Sequence, residues 1–264
     1  MKEIRLPARW RAVVATGVAL SIGLAAGPAM SAGGTDPDAD KILRSMSTYL
    51  GGLSAVSVNA DIDVEFIDLD GQKLQLSSFA TVAVERPGKL SIHRRGAFAD
   101  ARILLDGNTL TISSVDHNAY LEVEGPETID DALRSIPLET GLVAPGGDLF
   151  YAEPYPGLVS DVTSSAYRGM TYMNGIKAHY LTFREAQLDW QLWVQEGDTP
   201  LPLKYVITSK WVTGAPQYAI RYSGWNTQPT FGADQFKFSP QEGAKKVDSI
   251  SVDLVGEFMI EEKQ

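Results

Sequence analysis

The chain contains no cysteine. That excludes disulfides, thiolate nucleophiles, cysteine–metal sites and a lipid-modified cysteine as a tether. Histidine is nearly as scarce: His93, His117 and His179 stand far apart, and none has a partner at the helical spacing of a zinc motif. There is no G-x-S-x-G elbow, no S-x-x-K, no phosphate loop and no dinucleotide fingerprint. The sequence therefore points to no cofactor and to a protein that is not an enzyme. An envelope hydrolase with a dispersed site is the lesser alternative, and it would need a Ser or Asp beside one of the three histidines.

Long apolar runs are also missing, except at the start. Lys2, Arg5, Arg9 and Arg11 precede an apolar stretch from about Ala12 to Ala26, Gly27-Pro28 breaks it, and Ala29-Met30-Ser31 supplies small residues before a cut near Ser31 or Ala32. This order is the secretory pattern. The stretch falls short of the roughly 18 to 20 residues of a spanning helix and holds Gly17, Ser21 and Gly23. Residues 1–31 are expected to be a signal peptide and 32–264 one exported, periplasmic domain with no membrane span. Twin adjacent arginines are absent from residues 1–31, which favours the general secretory route.

Positive charge is in deficit. The chain carries 23 basic and 33 acidic residues, and loss of the leader leaves 19 against 32, a net of −13. Nucleic acid and anionic lipid headgroups repel such a protein, which excludes nucleic-acid binding and tight docking on an anionic membrane surface. The local exception is Arg86, Lys89, Arg94, Arg95 and Arg102. It reads as a solvated strand edge or as a headgroup contact at a cavity mouth.

What the sequence has is alternation. After a helix expected from Pro37 to Gly51-Gly52, Val56, Val58, Ala60, Ile62, Val64 and Phe66 share one face of a strand, with Ser57, Asn59, Asp61, Asp63 and Glu65 on the other. The acids of this run fail the calcium-loop pattern, because Phe66 stands where the sharp turn needs glycine. A second strand carries Leu74, Leu76, Val82 and Val84; further strands are expected at about 89–95, 101–106, 109–115, 118–124, 162–173, 176–185, 188–195, 202–213, 216–226 and 247–259. Asp106-Gly107-Asn108, Asn174-Gly175 and Glu196-Gly197-Asp198 are hairpin turns. Between the two strand runs lie a short helix from Glu127 to Ile136, stopped before Pro137, a Gly/Pro-rich loop to Pro156 and a helical turn near 154–160. So many strands with one apolar face must close on something. Helices before and amid them favour a curved antiparallel sheet wrapped around helices over two stacked sheets.

Aromatics concentrate in the second half, as Trp190, Trp193, Trp211 and Trp225 with Tyr205, Tyr218 and Tyr222. The strings there, Asp189-Trp190-Gln191-Leu192-Trp193, Pro200-Leu201-Pro202-Leu203-Lys204-Tyr205, Trp211-Val212-Thr213-Gly214-Ala215-Pro216-Gln217-Tyr218 and Trp225-Asn226, together with Asp36-Pro37-Asp38-Ala39 and Phe98-Ala99-Asp100, resemble an uncharacterised bacterial family of predicted periplasmic proteins. The resemblance covers nearly the whole mature chain. The ending Phe236-Lys237-Phe238-Ser239-Pro240-Gln241-Glu242-Gly243-Ala244-Lys245 is similar to proteins of the LolA/LolB type, which handle outer-membrane lipoproteins. That likeness implies a mainly β, α+β fold: a half-open antiparallel barrel that wraps a few helices and holds acyl chains. No residue here matches the carriers' functional arginine closely enough to take over its role.

The reading is a non-catalytic periplasmic binding protein for a lipid or a lipoprotein acyl chain. Strand parity gives candidate cavity residues Phe66, Leu76, Val82, Leu90, Ile92, Tyr120, Trp190, Leu192, Tyr205, Ile207, Tyr218 and Ile220, with Leu149, Phe150, Tyr151 and Tyr155 as a candidate lid. Burying about fourteen methylenes at roughly 0.8 kcal/mol each gives on the order of 10 kcal/mol gross. The alternative is the same fold with a filled core, meeting an envelope protein through an edge strand.

Overall fold

The computed structural model describes residues 34–250 except 69, 98–99 and 141–144, with backbone alone at 137–140. The expected signal segment, Leu69, Phe98, Ala99 and the strand expected beyond 250 lie outside the described residues.

Helix α1 (Pro37–Gly52) opens with Asp36 as N-cap, whose carboxylate accepts from the Asp38 amide at 2.9 Å, and with proline at its first position. The same carboxylate accepts from the Tyr167 amide at 2.8 Å, so one side chain caps the helix and ties it to the sheet. That backbone donor holds the Asp36 carboxyl below its usual range. Ala39, Leu43, Met46 and Leu50 form the stripe that α1 buries. Gly51 lets the helix end approach the chain closely, since a Cβ there would sit 2.3 Å from the Ala152 carbonyl oxygen.

Six strands follow: β1 (Ala55–Ile67), β2 (Lys73–Glu85), β3 (Lys89–Gly96), β4 (Asp100–Leu105), β5 (Thr109–Ser114) and β6 (Ala119–Glu124). Helix α2 (Ile129–Thr140), a 3₁₀ turn (Gly147–Phe150) and helix α3 (Pro154–Val159) interrupt them. Then come β7 (Ser164–Met173), β8 (Ile176–Arg184), β9 (Leu188–Gln195), β10 (Pro202–Ser209), β11 (Gln217–Asn226) and β12 (Lys245–Lys246). The described strands form one curved, unclosed sheet in the order β12-β6-β5-β4-β3-β2-β1-β11-β10-β9-β8-β7. β1 joins the two meanders by pairing with β11. This is the open sheet around helices that the LolA/LolB resemblance implies.

Four expectations need correction. Helix α2 begins at Ile129, because Thr128 Oγ1 caps it by accepting from the Asp131 amide at 3.1 Å, and it runs through Pro137 to Thr140. Proline removes one helical bond there, and burial of Ile129, Ala132, Leu133 and Ile136 on the sheet outweighs the loss. β10 ends at Ser209, short of 213, and the chain turns where Gly214 and Ala215 take positive φ. Residues 247–250 form no strand; the short β12 precedes them and pairs with β6 in parallel, the exception in an otherwise antiparallel sheet. The loop before Pro156 contains the 3₁₀ turn, which buries Leu149 and Phe150.

Candidate functional site

Register decides where the inward face is filled. Val58, Val82, Ile92, Ile103, Ile112 and Leu121 lie opposite one another across six strands. One pair further along, the row reads Tyr222, Ala60, Ala80, Arg94, Ala101. Three alanines in a row remove side-chain volume where the neighbouring row is branched and bulky. A cavity of about 120 Å³ results.

Its floor is Ala60, Ile62, Ala80, Val82, Ile92, Arg94, Ala101, Ile103, Tyr218, Ile220 and Tyr222; its roof is Leu133 and Ile136 of α2 with Pro145, Gly146, Gly147 and Phe150. Gly146 is required in the roof. It has φ +86, and a Cβ there would meet Ile220 Cδ1 at 2.5 Å and the Tyr222 hydroxyl at 2.9 Å. The lining is apolar apart from Arg94 and the tyrosine hydroxyls. Arg94 lies along the floor, and its Nε donates to Ser78 Oγ at 3.0 Å. Beyond Ser78, towards the β1–β2 turn, the inward face continues as half-buried Val64, Phe66, Leu74 and Leu76.

Beside the roof is a buried polar group. Asp148 Oδ1 has no hydrogen-bond partner and no contact with solvent. Burial, with a smaller contribution from the charge of Glu185, pushes its carboxyl up to about 6. Burial also pushes the Tyr205 and Tyr222 hydroxyls well above their usual range, and the charge of Asp148 adds to both. Glu185 itself is raised by burial and accepts from Trp190 Nε1 at 2.8 Å.

Of the residues expected from sequence, Val82, Ile92, Tyr218, Ile220 and Phe150 line this cavity. Leu90, Trp190, Leu192, Tyr205 and Leu149 sit in the closed core. Trp190, only 1% exposed, stacks on Phe183 with centroids 3.7 Å apart. Phe66 and Leu76 are half-buried near the β1–β2 turn, and Ile207 is half-buried against the core. Tyr120 faces away from buried Leu121 and packs on Phe238, 4.9 Å between centroids. Tyr155 is no cavity lid: it clamps α3 to α1, its hydroxyl donating to Asp40 and accepting from Arg44. Tyr151 lies under Arg134, with its carbonyl held by Arg86 at 3.1 Å. Ala60, Ile62, Ala80, Ala101, Ile103, Leu133, Ile136 and Gly146 were missed, because alanine and glycine carry no hydrophobic signal of their own and the isoleucines and leucine read equally well as core.

The remaining polar candidates have local partners. His93 pairs with Asp100 at 2.7 Å, and His179 meets the Tyr167 hydroxyl at 3.1 Å. His117 Nδ1 meets Ser114 Oγ at 2.9 Å, but that hydroxyl also accepts from the His117 amide and so closes a turn. Asp63, in the acidic run of β1, is bound by Ser77 at 2.6 Å and Arg221 at 2.5 Å. Burial opposes its charge, yet these donors hold the carboxyl below its usual range. Among the described residues no cluster of His, Asp and Glu could hold a metal, and no helix is long and apolar enough to cross a membrane.

No curated protein matches the chain. Among solved structures, an uncharacterized conserved protein from Thermus thermophilus is similar at TM-score 0.49 and 11% identity, over 80% of this chain and 98% of its own. LprF from Mycobacterium bovis is similar at 0.46 and 14%, over 76% and 99%. A LolA superfamily protein from Nitrosomonas europaea is similar at 0.34 and 13%, over 75% and 97%. A family profile described as "Predicted periplasmic protein (DUF2092)" matches residues 39–250. The chain belongs to that family, and its compartment is the periplasm.

Proposed function

We propose that this protein binds a lipid or acylated ligand without catalysis, placing an acyl chain in the cavity between the alanine row and the roof of α2 and Gly146. The observation that carries the reading is an apolar cavity of about 120 Å³ flanked by a half-buried apolar surface. An apolar cavity of about 150 Å³ stays dry and accepts a benzene-sized guest, so a cavity of about 120 Å³ holds the end of a chain and not its length. The rest runs over Val64, Phe66 and Leu76, or the segment Pro145–Phe150 lifts to admit it. About four buried methylenes contribute roughly 3 kcal/mol, and a full chain on the order of 10 kcal/mol before ordering costs.

Equilibrium dialysis with radiolabelled dodecanol tests this. The wild type is expected to bind about one equivalent at micromolar affinity, and a folded Ala80→Leu, Ala101→Leu double variant to bind none. A wild type that binds no dodecanol overturns the reading.

The interaction-module reading draws on the other end of the sheet. Edge strand β7 exposes Met170 and Tyr172, the latter 69% exposed, which suits addition of a partner strand. Under that reading Tyr172→Glu breaks a protein complex, while dodecanol binding is absent from wild type and variant alike.

A further inference from the structure

Resting on the acyl-binding reading, we propose that the 3₁₀ turn Gly147–Phe150 is a proton-controlled gate over the cavity, seated while Asp148 is neutral and released when Asp148 ionises. Gly146, Gly147 and Phe150 roof the cavity, and Asp148 belongs to the same turn. Its Oδ1 is buried without a hydrogen-bond partner, so a negative charge on that oxygen finds neither water nor a donor. Lifting the turn returns the carboxylate to water and uncovers the cavity in one movement. The chain around the turn suits such a motion. Before it, Gly146 takes φ +86. After it the chain is tied down: the Tyr151 carbonyl accepts from Arg86 at 3.1 Å, and the Ala152 amide donates to Asp130 Oδ1 at 2.9 Å. The hydrogen bonds of the turn itself are long, 3.3 Å from the Leu149 amide to the Gly146 carbonyl and 3.4 Å from the Tyr151 amide to the Asp148 carbonyl. Burial of Leu149 and Phe150 holds it down.

The surroundings favour the neutral acid. The charge of Glu185, after β8, acts against ionisation of Asp148. Tyr205 on β10, Tyr222 on β11 and Tyr151 are acids whose own ionisation Asp148 opposes in turn. Helix α1 buries the uncharged Leu43, Met46, Ser47 and Leu50, and α3 holds no charged residue. The nearby cations have other partners: on α2 Arg134 lies over the Tyr151 ring and bridges Asp130 and Asp131, Arg86 donates to the carbonyls of Leu53 and Tyr151, and Arg94 on the cavity floor donates to Ser78. Burial therefore prevails over the favourable amides of Leu149 and of Asp148 itself, and lifts the carboxyl from the ordinary 3.8 to about 6. Seating is fully favoured below about pH 4, where the acid is neutral in both positions. It weakens as pH rises to about 6, and the loss is complete above that.

The test measures amide hydrogen exchange and the release of prebound radiolabelled dodecanol, a probe with no charge to titrate, at about pH 4 and about pH 8 on the wild type and on Asp148→Asn. Once the intrinsic pH dependence of exchange is divided out, the Leu149 and Tyr151 amides of the wild type are expected to lose about ten- to a hundred-fold in protection from the lower pH to the higher. Dodecanol release should quicken by a similar factor. Asp148→Asn should show the low-pH behaviour at both values. Unchanged protection in the wild type overturns the proposal and needs neither variant nor ligand. The same pH dependence in a folded Asp148→Asn assigns the titration to another group, Glu185 foremost, and overturns it too. Protection that falls while dodecanol release stays constant leaves a titrating turn that is no gate, and also overturns it. A wild type that binds no dodecanol at either pH overturns the acyl-binding reading, while exchange still decides whether the turn moves with the proton.

Discussion

Strands β8 to β10 and strands β1 to β4 both turn apolar residues inward, yet the former group closes and the latter leaves a cavity. Across β8 to β10, Phe183 stacks on Trp190, Tyr205 meets Trp190 edge-on at 5.6 Å between centroids, and Leu181, Leu192 and Val194 are fully buried. Across β1 to β4, Ala60, Ala80 and Ala101 fall in one row and leave a cavity. The difference is volume in register: a protein interior is filled at near-crystalline density only where facing side chains sum to the space available.

That contrast can be broken at several points. The largest effect is expected at Trp190. Trp190→Ala removes the centre of the closed half and leaves Glu185 without its donor, so it should cost about 3–5 kcal/mol in denaturant unfolding. A cost below about 1 kcal/mol would mean that this half is not closed.

Asp148 is next, because its carboxyl is buried beside the roof of the open half. Its folded pKa of about 6 exceeds the ordinary 3.8. The native state therefore holds the proton more tightly than the unfolded chain, and stability falls as pH rises from about 4 to 6. The penalty is complete above that window and is of order 3 kcal/mol. Asp148→Asn, which stays neutral, should be more stable than the wild type at about pH 8 and match it at about pH 4. Thermal unfolding across pH checks this, and parallel pH profiles for the two proteins would contradict it.

A third comparison enlarges one residue in each half. Val194→Phe should cost about 1–3 kcal/mol by overpacking, whereas Ala80→Leu should cost less than about 1.5 kcal/mol because space already exists. Equal costs in denaturant unfolding would erase the distinction. The smallest effect is at the cap. Asp36→Ala should cost about 1 kcal/mol and speed amide exchange in α1 and β7 while leaving α2 and β1–β4 unchanged.

Much of this fold was legible in the sequence, and the reason is period. Alternation in β1 and β9, Asn174-Gly175 with both residues at positive φ, and the Asp36-Pro37 start of α1 are local signals that the structure realises locally. Errors fell where a tertiary contact overrode a local rule, as at Pro137, where burial of the α2 stripe carries the helix past a breaker. The candidate site was less legible. Parity correctly turned Val82, Ile92 and Ile220 inward, but it turned Leu90, Trp190 and Leu192 inward as well. An inward position becomes core or cavity according to its neighbours on other strands, and those neighbours are known only once register is. Ala60, Ala80 and Ala101 lie far apart in the chain and become a row only through the hairpins that set their register. Trp211 shows the converse: an aromatic inside a matched string is 76% exposed at a turn.

The central claim is that the open half takes an acyl chain. Native mass spectrometry of the protein recovered from an envelope fraction without detergent, followed by organic extraction, tests it most directly. We expect a stoichiometric, extractable ligand with an acyl chain, absent from a folded Ala80→Leu, Ala101→Leu variant prepared in the same way. A ligand-free mass that stays unchanged after incubation with phospholipid vesicles would contradict it.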